Sequence, residues 1–382
     1  MTFKYASAAL LSLTLGLASC SKNDEPVPAA PSLRAKMDYA TLTPTSRYTE
    51  SFKNADNAST VDLGAAAMRL NMFTELNSYM ARVAVQGRAF RINADTLRNL
   101  YTNTNAPFTG AGLNASGVQL RDKTGASLPE ANGNTVRTYV DTKLNELAVA
   151  SRRADTVAVA GKAGRLGRYL VDAKGYELNQ VIQKALLGAL LLDQIGNVLM
   201  SADALNANNS AVVNGKLYSE LEHNWDMAYG YMTSNAIMTT DINLTPRERF
   251  LAGYLNEKNG AASPAVYAAF LKGRAAIVNN DAATLRAQAD IIRTELEKTI
   301  AKAAVSYLTN WKAASALDVK AHALGEGLGF VYSLRFCTKY GADAAWSDSL
   351  LQGLTSGSQG AWSLTNAQMD TAIAAINSKF SL

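Results

Sequence analysis

Residues 185–192 form an unbroken apolar run, Ala-Leu-Leu-Gly-Ala-Leu-Leu-Leu, inside a stretch of strong helical period. Over 173–200 the apolar positions Leu178, Val181, Ile182, Ala185, Leu192, Ile195 and Leu199 recur at three- and four-residue steps. A helix that is apolar all round must be buried on several sides, so this one is expected at the centre of the fold. Lys184 and Asp193 bracket the run, which is too short to cross a bilayer.

The rest of the chain supplies helices to surround it. Leu63, Ala66, Ala67, Leu70, Phe73 and Leu76 mark one, and Val136, Tyr139, Val140, Leu144 and Leu147 another near 135–150. A second long helix is predicted over 282–311, with Leu285, Ala289, Ile292, Leu296, Ile300, Ala303 and Tyr307 as its stripe. Arg286 with Asp290 and Arg293 with Glu297 are expected as i,i+4 ion pairs on its wet face. Further helices are predicted near 215–235, 245–257, 264–279, 317–338, 343–354 and 365–380. Thr245 is expected to cap one of them, with Pro246 at its first position. Residues 103–135, rich in Asn, Gly and Thr, read as loop. No convincing alternating strand occurs. The expected fold is all-α, about ten helices packed as two related bundles.

The N-terminus reads as a lipoprotein leader. Lys4 precedes an apolar stretch, residues 8–17, that ends in Leu17-Ala18-Ser19-Cys20. Charge, apolar run, small residues and cysteine stand in the order of a cleaved signal peptide, residues 1–19, followed by an acylated Cys20. Residues 20–58 are expected as an irregular tether, with Pro26, Pro28 and Pro31 stiffening its start, and 59–382 as the helical domain. Lys22-Asn23-Asp24-Glu25 resembles the export signal of Bacteroidota surface lipoproteins; a linker on a periplasm-facing lipoprotein is the alternative. Cys337 is the sole other cysteine, so acylation of Cys20 leaves no internal disulfide. Cys337 is expected as a small buried side chain. A net charge of +5 with both signs interspersed does not suit a nucleic-acid partner.

The two histidines stand in helical segments with similar company. His223 is followed by Gly230, Tyr231 and Ser234, and His322 at the same offsets by Gly329, Phe330 and Ser333. Each segment follows a long apolar helix, which suggests an internal duplication. His322, Glu326 and Gly329 share one helical face, as do His223, Asp226 and Gly230. A histidine with a carboxylate one turn away can hold a metal, or the acid can orient the ring. It can equally brace two packed helices. Gly325, Gly327 and Gly329 weaken a helix by about 1 kcal/mol each, so close helix approach or room for a ligand is expected there. Trp225, Tyr229 and Tyr231 read as core aromatics. No Gly-x-Ser-x-Gly elbow, His-Glu-x-x-His, Walker loop or cysteine cluster points to an enzyme.

Four blocks carry a family resemblance: residues 168–180, 222–231, 273–278 with 288–293, and 322–334. The chain is similar to uncharacterised Bacteroidota lipoproteins that carry a domain of unknown function. More distantly it resembles imelysin-like proteins, which are exported, all-helical and built from two related bundles. Their His-x-x-Glu is replaced here by His223-x-x-Asp226 and His322-x-x-x-Glu326. The resemblance implies a ligand-binding accessory protein of the outer membrane, serving iron or haem acquisition beside an outer-membrane transporter. His223, Asp226, His322 and Glu326 are then the candidate ligand or metal groups. A structural or partner-binding component of an outer-membrane assembly, and an imelysin-like peptidase, are the alternatives.

Overall fold

The computed structural model describes residues 33–86, 89–245 and 247–382. The leader, Cys20 and the first part of the tether lie outside the described residues. The described residues form one compact unit.

Thirteen α-helices among the described residues make the fold all-α. They are α1 (Tyr48–Ser51), α2 (Gly64–Met80), α3 (Arg82–Gln86), α4 (Ala94–Thr102), α5 (Glu130–Ser151) and α6 (Leu178–Leu186). Then follow α7 (Glu220–Met232), α8 (Phe250–Lys258), α9 (Ser263–Val278), α10 (Ala282–Ala313), α11 (Leu317–Ser333), α12 (Ala344–Thr355) and α13 (Asn366–Phe380). The short α1, α3 and α4 account for the excess over the expected ten. One small hairpin departs from the helical plan. Gly164–Leu166 (β1) pairs antiparallel with Tyr169–Val171 (β2), joined by Gly167 at φ 55° and Arg168. Strands of three residues are too short to show an alternating pattern.

The apolar run is where expected. Every residue from 185 to 196 is buried. The backbone changes register there: α6 continues as a π-helix over Leu187–Leu199. Ser333, at the end of α11, explains where the change begins. In an α-helix the Gly188 N–H would donate to the Lys184 carbonyl. Instead the Ser333 hydroxyl stands between them, accepting from Gly188 N at 3.0 Å and donating to Lys184 O at 2.6 Å. A Cβ on Gly188 would overlap the Ser333 side chain. One glycine and one serine thus convert an α-helix into a wider one.

α11 lies against both α6 and α10, and α7 packs on the π-helical segment. Each histidine helix therefore folds back on the long helix that precedes it. The glycines of α11 serve close packing. A Cβ at Gly325 would lie 2.8 Å from Glu177 O, and at Gly329 2.7 Å from Val181 O, both on or just before α6. Gly327 faces Leu308 of α10. Gly230 of α7 has the matching role against Leu63 and Ala66 of α2. The matched Ser234 has no such role; it is exposed, two residues beyond the end of α7.

Three local expectations are corrected. α8 begins at Phe250, not at Thr245, and Pro246 lies outside the described residues. The two ion pairs expected on α10 do not form. Arg286 bonds Asn206, Asp290 pairs with Lys339, and Arg293 reaches Thr338. Glu297 is buried, accepting the Lys339 and Tyr340 backbone N–H groups at 3.1 and 3.2 Å. A local spacing rule cannot see the 3-10 turns 334–340 that cover this face. Finally, the segment after Arg34, expected as tether, is docked on the helices. Tyr48 and Phe52 are fully buried, and Asn279 bonds both backbone polar groups of Met37.

Candidate functional site

The four sequence blocks meet in pairs. The second and third build a buried ion cluster between α7 and α9. Arg274 is 0 % exposed. Its Nε meets Asp226 Oδ1 at 2.9 Å, and its terminal nitrogens meet Glu222 Oε1 at 2.8 Å and Thr60 Oγ1 at 3.0 Å. Tyr48 donates to Asp226 Oδ1 at 2.8 Å. Glu222 also takes Arg34, at 2.6 Å, and the Ser219 N–H that completes the α7 capping box. Beside this cluster, Gly273 leaves room for the Trp225 indole, which donates to Phe270 O at 2.9 Å. Burial pushes the Asp226 carboxyl up to about 6, although Arg274 and Tyr48 oppose it.

The first and fourth blocks build a second cluster between α6 and α11. His322 Nδ1 lies 2.7 Å from Glu177 Oε2, and Tyr169 stacks on the imidazole with centroids 4.5 Å apart. One turn on, Glu326 meets Lys184 Nζ at 2.9 Å and accepts from Tyr254 at 3.3 Å. Lys184 also bonds Gln180 at 2.7 Å. Burial lowers the Lys184 ammonium, with Glu326 opposing. Burial would lower His322 too, but the Glu177 hydrogen bond and charge, with Glu326, raise it above its ordinary value.

His223 has different company. It stacks on Tyr218, centroids 4.4 Å apart, and its Nδ1 is buried with no hydrogen-bond partner. Burial lowers its pKa, against the pull of Asp62. Asp226, expected as its partner, is turned to Arg274 instead.

The structure therefore does not join His223, Asp226, His322 and Glu326. Each carboxylate is neutralised by a fixed cation, and His322 is held by Glu177. Such a donor set does not fit a metal ion, which needs several unclaimed ligands converging at about 2 Å. Among the described residues no group of three or more His, Cys, Asp and Glu side chains is placed to hold a metal. No serine, threonine or cysteine among them is hydrogen-bonded to either imidazole. His322 is tied to Glu177 at the start of α6, and His223 is stacked on Tyr218.

A cleft lies beside the Glu177–His322 brace. It encloses about 740 Å³ between α5, α6, α11, α12 and the loop after β2. Leu178, Val181, Leu328 and Leu351 make an apolar floor, Tyr139 and Tyr176 form aromatic walls, and Lys143, Glu146, Asp172 and Lys174 bring charge to it. Tyr139 is held by stacking on Tyr332 at 4.0 Å. Asp172 accepts the Lys174 and Tyr176 N–H groups, each at 2.9 Å, and burial raises its pKa against those bonds. The Tyr176 hydroxyl is buried and has no partner. Tyr176, Glu177 and Leu178 are consecutive: two line the cleft and the middle one holds His322. A dipolar rim over an apolar floor suits a small amphipathic ligand. Sequence reading missed this site because its walls come from five separate segments, and none is a motif. The signals were block 168–180, whose Asp172 and Tyr176 line it, and block 322–334, which supplies Leu328.

The profile of a family described as a domain of unknown function, DUF4856, matches residues 47–382, and the chain belongs to that family. No curated protein and no solved structure matches the chain.

Proposed function

We propose that this member of the DUF4856 family is a Bacteroidota envelope lipoprotein, anchored to the outer membrane through Cys20, whose helical body captures a small amphipathic ligand for an outer-membrane transporter. The cleft carries the reading: it is large enough for a ligand of drug-like size, apolar below and charged at its edge. The lipobox, Leu17-Ala18-Ser19-Cys20, supports the address. A distant resemblance of the all-helical arrangement to imelysin-like proteins supports an iron-bearing cargo such as haem. That cargo would be gripped by the cleft walls, as a ligand and not as a resident metal.

The test uses the full chain purified from its own membranes. Denaturation and mass spectrometry read any released small molecule, and haemin titration read by absorbance tests the haem cargo. Ala163→Trp and Thr355→Trp fill the cleft from half-buried positions. Wild-type protein is expected to carry a ligand that both variants lose. Equal ligand content in all three would overturn the proposal. Haemin binding that survives both substitutions would remove the cleft as its site.

A further inference from the structure

We propose that the hairpin loop 211–218 seats the body on a phospholipid bilayer. Val212 and Ser219 form an isolated antiparallel bridge at its base, and it turns at Asn214-Gly215, with Gly215 at φ 73°. Residues 211–217 are all exposed. Three are aliphatic: Val212 at 45 %, Val213 at 40 % and Leu217 at 46 % exposure. Lys216 stands among them. Aliphatic side chains beside a lysine at the tip of a tight turn match the layering of a bilayer surface, acyl chains below and phosphates above.

The loop is rigid at its base. Val213 N bonds Tyr218 O at 2.8 Å, and Ser219 Oγ bonds Asn209, which in turn bonds Ile277 O and Asn280. The His223 imidazole stacks under Tyr218. His223 thereby gains a role that ligand binding does not give it: it braces the hairpin. A pre-ordered loop loses less entropy when it inserts, which favours binding through few side chains.

The course of the chain says what covers the loop. Arg34 donates to the Leu217 carbonyl at 2.5 Å and pairs with Glu222 at 2.6 Å. The chain that follows Cys20 thus enters the body at the hairpin itself. Cys20 precedes Arg34 by fourteen residues, which span at most about 50 Å when extended. An acyl anchor on Cys20 would hold a membrane within that leash of the point where Arg34 meets the hairpin. Lys36, exposed two residues beyond Arg34, adds positive charge to the same approach. The location of the bilayer rests on the anchor reading, whereas the lipid affinity of the hairpin can be measured without it.

The experiment takes the mature chain, residues 20–382, carrying Cys20→Ser so that no acyl group contributes. Partition is measured by sedimentation with phosphatidylethanolamine–phosphatidylglycerol vesicles. Val213→Asp with Leu217→Asp is expected to lower it about tenfold or more. The thermal midpoint should not move, because both side chains are exposed. A fluorophore on Asn214→Cys should be quenched by nitroxide lipids, and one on the exposed Gln352→Cys should not. Partition unchanged by the double substitution, no partition at all, or an unquenched label at position 214 would each overturn the proposal. Acylation of the native protein is read separately, as the mass at Cys20. An unacylated native protein with hairpin-dependent vesicle binding would sink the anchor alone.

Discussion

Glu297 is 1 % exposed on the inner side of α10 and makes no ion pair among the described residues, though the Arg293 and Lys339 charges act on it from farther off. Burial pushes it up to about 7, although two backbone N–H groups favour its anion. The folded state therefore holds a proton that the unfolded chain releases near 4.5. Stability from this group is greatest below 4.5 and falls as pH rises to about 7, by about 3 kcal/mol in all. Glu297→Gln should flatten the dependence of the melting midpoint on pH over that window; an unchanged slope would contradict the assignment. His322 has the same sign at a higher pH. Its stabilisation is full below the ordinary 6.5 and is lost as pH rises through its raised folded value. With only two histidines, proton NMR resolves both. One imidazole should titrate above 6.5 and the other below, and Glu177→Gln should move the upper one down without touching the lower. These environments were half legible in the sequence. The same-face pattern of His322 and Glu326 holds, both turned toward α6. Their partners Glu177 and Lys184 lie more than a hundred residues away, where no local spacing points.

At the scale of elements, the clearest case is the passage from α6 into its π-helical continuation. The apolar run fixed the burial of this helix, and its period fixed the helical class. Nothing in the run says that the register widens at Gly188, because the cause, Ser333, belongs to α11. Ser333→Ala leaves the Gly188 N–H and Lys184 carbonyl without the hydroxyl that joins them. The loss should be about 1–3 kcal/mol in denaturant melts. A Ser333→Ala midpoint equal to wild type would show that the helix closes to α-register without strain. Gly273→Ala tests the second contact. A methyl group there overlaps the Trp225 indole and should cost about 1–3 kcal/mol through overpacking. Elements with a long apolar stripe, such as α10 and α13, were readable to within a few residues. The β1–β2 hairpin and the start of α8 were not, because both depend on contacts and not on period.

For the whole molecule, two charged clusters tie segments distant in sequence into one body. Arg274 ties α9 to α7 and Thr60, so its loss leaves the buried Asp226 without a cation and Glu222 with Arg34 alone. Arg274→Ala should destabilise by about 3–5 kcal/mol, whereas replacing Arg274 and Asp226 together by apolar residues, with Glu222 left to Arg34, should be milder. Unfolding curves of the two variants separate these outcomes. The Glu177–His322 pair ties α11 to the start of α6, outside the cleft that Tyr176 and Leu178 line. The family blocks in the sequence thus mark these ties, and the cleft is the candidate site. The most direct measurement is ligand content by native mass spectrometry of four proteins from their own membranes: wild type, Ala163→Trp, His223→Ala and His322→Ala. Each melting midpoint is recorded beside it. Ala163→Trp is expected to lose the ligand and keep its midpoint, while both histidine variants keep the ligand and lose stability. Ligand lost with either histidine but retained by Ala163→Trp would contradict the proposal.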